Sequence, residues 1–477
     1  MHVVFFLLLC GILTCYSVLV IDLKRRSAAQ GVVSETRIPA WIFTAWFVGA
    51  VFWGGRFLTI RVPGLFDITI ERLLFLLVLG SVVHRMIRRE KRSGQEDFLT
   101  EVAMGFLLIL CLISMAIHGF RAPNPGMPDP WFLFLSGYLF PAIVYVFFRG
   151  QNLNLDLLEH IFWCFFGVGC YVAFLAYLEF FGLREYVYPR YINDPKIWLH
   201  LDRARGPFLN AGINGLIIVQ AFLCGVYLYA SKKPLRWILG PLVLAMIPTI
   251  YFCQTRSVYL AFLVCAVALA TLLKVDLPKW KILALPTALV VFLAIGISPR
   301  LLSPDRRAGG VYQVEEVKIR LILIERSFEM ILERPFLGHG FGQFLRVASE
   351  RFRGRYPIPG TAEEQVQHHH LLGLWAELGI MGVTVYALIM LRGLTRGVVV
   401  ISKKTLDERT RNLALVCVLG LVAYLLNNNF LEPGYFLPYN AAAFTFLAWA
   451  DGLYVYALSL HSPHLPTVWG TKCTAPS

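Results

Sequence analysis

Just ahead of an apolar run stands Gln367-His368-His369-His370. A neutral imidazole can take a proton from a hydroxyl near physiological pH. Three adjacent histidines point in different directions on a helix, which makes them a poor metal cluster. A run of interfacial histidines without chemistry is the competing reading. The segment leading up to them, about 298–370, is rich in arginine: Arg300, Arg306, Arg307, Arg320, Arg326, Arg334, Arg346, Arg351, Arg353 and Arg355, against Lys318. A shorter segment, about 182–206, holds Arg184, Arg190, Arg203 and Arg205 with Lys196. Arginine presents a planar fork that grips phosphate and carboxylate at two points, whereas lysine is a point charge. These cations suit an anionic ligand; anchoring at phospholipid headgroups is the other reading.

The elements that must position these residues are membrane spans. Of the 477 residues 57% are hydrophobic and 16% charged, where a soluble chain sits nearer half and a quarter. Stretches of the length needed to cross a bilayer recur at about 1–21, 38–55, 66–85, 98–118, 131–148, 158–181, 207–230, 236–253, 257–273, 280–297, 371–391, 412–430 and 436–458. The fold class is therefore all-α: a polytopic transmembrane helix bundle of about 12–13 spans with a large extracytoplasmic helical loop. The run 38–55 carries Gly49, Gly54 and Gly55, which suit a short or re-entrant span. The chain opens Met1-His2-Val3-Val4 without a basic stretch, so the first run reads as a retained span and not a signal peptide. Alternate connections are basic: Lys24 to Arg26, Arg85 to Arg92, Lys232 to Arg236, Lys274 to Lys281, and Arg392 to Arg411. Cytoplasmic loops collect Lys and Arg, so this side is cytoplasmic and the His and Arg segments face outside. Part of the net charge of +14 is that bias, and nucleic acid is not implied.

Within the large loop, Val317, Leu321, Ile324, Phe328 and Ile331 recur at helical spacing. They predict a helix from Val317 to Leu332 that lies along the membrane surface and stops at Pro335. Gly338, Gly340 and Gly342 follow and allow a tight turn. They do not follow a strand, so a nucleotide loop is disfavoured. The ten cysteines avoid this loop and show no CxxC, which supports neither a disulfide framework nor a thiolate metal site. The expected organisation is 1–200 N-terminal spans, 201–395 core including the outer loop 298–370, 396–460 C-terminal spans, and 461–477 a disordered tail.

Several of these motifs resemble one family. His368-His369-His370-Leu371-Leu372 followed by Glu377-Leu378-Gly379-Ile380-Met381-Gly382 resembles the His-Asn-x-x-Leu…Glu-x-Gly-x-x-Gly pattern of the O-antigen ligase and O-antigen polymerase superfamily. The family histidine falls at His368, and His369 replaces the usual Asn. Pro335 to Phe344 is similar to the family's Pro-x-x-Gly-x-Gly-x-x-x-Phe, and Arg320 matches an Arg near the start of the preceding helix. Gln254-Thr255-Arg256-Ser257 resembles an outer turn of that family, with the serine displaced after the Arg. Arg205-Gly206-Pro207-Phe208-Leu209-Asn210 and the early Arg72 resemble two further motifs. The likeness covers about 200–395 well and the first 100 residues loosely.

The resemblance implies transfer of a glycan carried by undecaprenyl diphosphate, at the outer leaflet of the bacterial cytoplasmic (inner) membrane, to lipid A–core oligosaccharide (ligase) or to another lipid-linked glycan (polymerase). It implies neither metal nor nucleotide, so no cofactor is expected. The diphosphate leaving group needs cations in a partly dehydrated site. Arg256 is the sharpest candidate, with Arg205, Arg320 and Arg72 as further substrate-binding residues. His368 is the candidate base, with His370 as the alternative. Glu377 reads as structural, holding the motif or pairing an arginine. A polysaccharide exporter or secondary transporter is the alternative class, but transporters show internal repeats and midplane charges that this sequence does not clearly show.

Overall fold

Inside a bilayer every backbone N–H must find its partner within its own segment, and a helix does this. The computed structural model describes residues 37–53, 59–60, 68–88, 97–121, 129–150, 154–197, 200–274, 314–352, 355, 367–431, 434 and 436–460. In chain order these form α1 (Arg37–Trp53), β1 (Thr59–Ile60), β2 (Ile68–Thr69), α2 (Ile70–Arg88), α3 (Leu99–His118), α4 (Pro130–Arg149), α5 (Leu155–Phe180), α6 (Ala211–Ser231), α7 (Arg236–Phe252), α8 (Arg256–Leu272), α9 (Val314–Glu333), α10 (Phe344–Phe352), α11 (His370–Ser402), α12 (Glu408–Asn428) and α13 (Leu437–Ser459). The strands are a two-residue antiparallel ladder, Thr59 opposite Thr69 and Ile60 opposite Ile68. The protein is an all-α polytopic bundle. Among the described residues eight helices are long and apolar enough to cross a membrane, and α1 and α8 are shorter apolar helices. Each expected span from 38–55 to 257–273 and from 371–391 to 436–458 has its helix. The spans at 1–21 and 280–297, and the tail at 461–477, lie outside the described residues.

Short polar side chains start several helices. Asn154 accepts from the Asp156 N–H, Asn210 from those of Gly212 and Ile213, and Asp407 from that of Thr410; each satisfies donors a first turn leaves unpaired. Helix α6 is the centre of the bundle, with its whole apolar window buried. Helix α3 lies at the rim and exposes Val102, Phe106, Ile109, Ile113 and Ile117 in helical register, an apolar outer face that suits lipid.

Where loops are basic, buried charges are paired. Asp451, fully buried in α13, accepts from Tyr145 Oη at 2.6 Å and Thr100 Oγ1 at 3.0 Å, and Arg396 lies 3.1 Å away. Glu159 of α5 accepts from Tyr227 Oη at 2.7 Å and Arg409 Nε at 2.8 Å, and pairs with Lys232. Charge inside a membrane helix is tolerated when partnered in this way.

Helix α9 begins and ends close to its predicted bounds. Leu321 and Phe328 of the expected apolar stripe are exposed, while Ile331 of that stripe is buried with Leu323, Arg326, Ser327 and Met330. Packing decides this: the Arg326 guanidinium stacks over Phe344 at 5.3 Å and Phe352 at 5.8 Å. Glu329 makes a two-point contact with Arg355, at 2.6 and 2.7 Å.

Helix α11 is broken at Gly379, where φ is 68° and ψ −170°. A helical Ile380 N–H would bond the Ala376 carbonyl; here it donates to Pro335 O at 2.8 Å. The Ala376 and Glu377 carbonyls accept instead from the N–H groups of His339 and Gly340, each at 2.9 Å. The 335–344 loop thus replaces the bonds that the break gives up, as buried backbone groups require. The approach is close: a Cβ on Gly379 would lie 2.1 Å from Phe336 O, and one on Gly338 2.3 Å from the Glu377 carbonyl. Gly379→Ala adds overpacking to a positive φ, a cost of roughly 2–5 kcal/mol. The purified variant should unfold several degrees below wild type in detergent; an unchanged unfolding temperature would contradict this account of the kink.

Candidate active site

Opposite the basic loops, three segments converge. The first is the Cys253–Thr255 turn between α7 and α8. Gln254 has φ 45°, and its N–H donates to Tyr251 O at 2.8 Å. The reversal leaves Arg256 as the exposed first residue of α8. The second segment, 200–210, docks on that turn: the Ala204 N–H donates to Phe252 O at 3.1 Å and Arg203 Nη1 to Gln254 O at 3.5 Å. The third is α9 with the histidines. Gln367 Nε2 donates to Leu323 O at 3.2 Å and to Ser327 Oγ, and Gln367 Oε1 accepts the His368 N–H at 2.7 Å. His368 therefore hangs from α9, which also carries Arg320.

These arms lie close enough for their charges to act on one another. Burial, then the charges of Arg256 and Arg203, pull the Arg320 guanidinium below its ordinary pKa. Burial, then Arg320, push the His368 imidazole down to about 4. Both effects disfavour added positive charge where water is scarce and like charges are near. Arg203 is itself lowered by burial, with Asp202 opposing. Arg320 also sits over the Phe430 ring at 5.8 Å, at the end of α12. The result is a cationic mouth of Arg203, Arg256 and Arg320 beside a neutral imidazole.

The other expected residues make contacts of their own. Arg205 is fully buried; it donates from Nε to Ile192 O at 3.0 Å, from Nη2 to Asp194 O at 3.4 Å, and from Nη1 to Ile197 O. It shapes the 190–197 loop. Arg72 lies over the Phe132 ring at 5.7 Å, where α2 meets α4. His369 caps α11 by accepting the Leu372 N–H. His370 is buried, with its ring 4.8 Å from Tyr386 and 6.3 Å from Tyr138. Glu377 pairs with the glycine loop: its carboxyl oxygens accept the N–H groups of Gly342 at 2.9 Å and Phe344 at 3.0 Å.

Residues 241–387 match the family model of the O-antigen ligase. The similarity to the O-antigen ligase family therefore covers these residues of the chain. Among curated proteins no match was found. The matched stretch contains the Arg256 turn, α9, the glycine loop, the histidines and the kink of α11. The match supports a function of the general O-antigen ligase or polymerase type, and the long apolar helices suit a multi-pass membrane protein.

Within this O-antigen ligase domain and its surroundings, Gln367 and Arg203 carry more than their sequence suggests. Arg203 is one of several outer arginines by sequence, and only the docking of 200–210 on the 254 turn singles it out. Asn427-Asn428-Asn429 closes α12 beneath the mouth; three amides at the end of an apolar span are the signal that could have found it. Glu377→Gln keeps the volume but leaves one loop N–H facing an amide NH2. An orphaned donor costs about 1–3 kcal/mol. The variant should unfold at lower temperature and speed hydrogen exchange over 335–344; unchanged exchange there would refute the clasp.

Proposed function

We propose that this O-antigen ligase relative transfers a glycan from undecaprenyl diphosphate to a saccharide acceptor at the outer face of the bacterial cytoplasmic membrane. The observation that carries this reading is the convergence of Arg203, Arg256 and Arg320 beside His368. In this mechanism the acceptor hydroxyl attacks the anomeric carbon of the bound glycan. The carbon–oxygen bond to the diphosphate breaks, and undecaprenyl diphosphate leaves with the bonding electrons. His368, neutral because burial and Arg320 disfavour its charged form, takes the hydroxyl proton. Arg256 and Arg320 hold the diphosphate as its charge grows, and clustered like charges are relieved when that anion binds. Arg205 supports substrate binding by holding the 190–197 loop, Arg72 is a further substrate-binding residue, and His370 is the alternative base. No step calls on a metal or a nucleotide. The acceptor is lipid A–core oligosaccharide for a ligase and another lipid-linked glycan for a polymerase. A deletion separates the two: without a ligase long chains stay on the lipid carrier, and without a polymerase single repeats reach the acceptor.

Purified protein with lipid-linked glycan and acceptor should form the transferred product in one compartment, which an exporter would not do. Arg256→Ala should lower the rate about 10²–10³-fold and His368→Ala about 10²–10⁴-fold. Wild-type rates in both would overturn this assignment. The pH profile gives a separate check. A base with a pKa near 4 is in its active form above that value and loses it as pH falls through it. Transfer should therefore stay level across the neutral range and decline only in acid; a limb centred near 6.5, the ordinary histidine value, would exclude His368 as the base.

A further inference from the structure

A buried chain of amides and hydroxyls runs beneath the cationic mouth. At its centre is Asn427, fully buried in the last turn of α12. Its Oδ1 accepts from Ser257 Oγ at 2.7 Å, and its Nδ2 donates to Gly212 O at 3.2 Å and to Tyr439 Oη at 3.3 Å. One side chain thereby ties the ends of α6, α8 and α13 to α12. Ser257 is the residue after Arg256. The chain continues from Tyr439, which donates to Asn428 Oδ1 and packs its ring 4.9 Å from that of Tyr424. Tyr424 Oη donates to Asn440 Oδ1 at 2.8 Å and accepts from Tyr386 Oη at 3.5 Å. Tyr386 lies against His370. The two ends of this chain are the start of α8, which bears Arg256, and the start of α11, which follows His368.

We propose that Asn427 is a positioning residue that fixes the Arg256 end of α8 for gripping a diphosphate. The physical basis is the cost of a broken buried amide. Away from water an unmade amide hydrogen bond costs about 1–3 kcal/mol, so a shift of α8, α6 or α13 is resisted by the partners of all three. An apolar side chain of the same size would pack these helix ends but would not specify their register. A guanidinium fork needs its register, because two-point contact fails when the arginine is displaced. This inference rests on the reading of Arg256 given above.

The test uses full-length protein in nanodiscs and measures affinity for undecaprenyl diphosphate, with undecaprenol as the phosphate-free control. Arg256→Lys should weaken binding about tenfold. Asn427→Leu should also weaken it about tenfold, with undecaprenol binding unchanged. In the Arg256→Lys background Asn427→Leu should add little, because a misplaced arginine that is already lost cannot be lost again. Ser257→Ala removes only the bond between α8 and Asn427 and should weaken binding a few-fold with the same non-additivity, so it carries the test if Asn427→Leu does not fold. Independent, multiplying effects would overturn the positioning role. So would an Asn427→Leu protein whose unfolding temperature drops while its affinity stays at wild type. If Arg256→Lys alone leaves affinity intact, the reading of Arg256 fails and this inference falls with it; if Arg256→Lys weakens binding and Asn427→Leu does not, only this inference falls.

Discussion

Glu377 sits inside a membrane helix, yet its backbone and side chain serve a loop. The carbonyl takes the Gly340 N–H and the carboxyl takes those of Gly342 and Phe344. These bonds are possible only because α11 breaks two residues later, at Gly379, and turns carbonyls of its own ladder toward the 335–344 loop. That loop joins α9 to α10. Fixing it against α11 fixes α9, and α9 carries Arg320 and, through Gln367, holds His368. The relative placement of cation and imidazole therefore depends on one exchange of backbone hydrogen bonds. Two close glycine contacts make it possible, since any Cβ at Gly338 or Gly379 would overlap the opposing backbone.

Both ends of the bundle hold ion pairs, Arg203 with Asp202 among them, but they differ in how their cations are grouped. At the basic end, buried acids and bases neutralise each other: Asp451 with Arg396, Glu159 with Arg409 and Lys232. A paired charge holds helices but offers a ligand nothing. At the other end, Arg203, Arg256 and Arg320 come near enough to act on one another. Like charges gathered at the edge of a low-dielectric bundle favour an anion. The O-antigen ligase match takes in Arg256, Arg320 and His368 but not Arg203, and the proposed lipid-borne diphosphate has the charge to suit this end.

Much of this was legible along the chain. The apolar runs fixed the helices because a bilayer leaves the backbone no alternative. Lys and Arg in alternate loops separated the two ends. The Glu377-x-Gly379-x-x-Gly382 and glycine-loop motifs were visible as patterns, and with them the family resemblance and the candidates Arg256, Arg320 and His368. Sequence spacing could not say that the two motifs clasp each other, because their bonds link residues 35 apart through a helix break. Nor could it foresee that the polar side of α9 packs inward, where tertiary stacking sets Arg326 over Phe344 and Phe352. Arg205 and Arg203 are alike in sequence, two residues apart on one loop. Folding turned the first inward to hold carbonyls and set the second beside Arg256's turn. Composition determined the solvent this chain lives in and the chemistry available to it; only the packing of helix ends decided which of its arginines share one site, because that depends on backbone direction at turns and not on residue type.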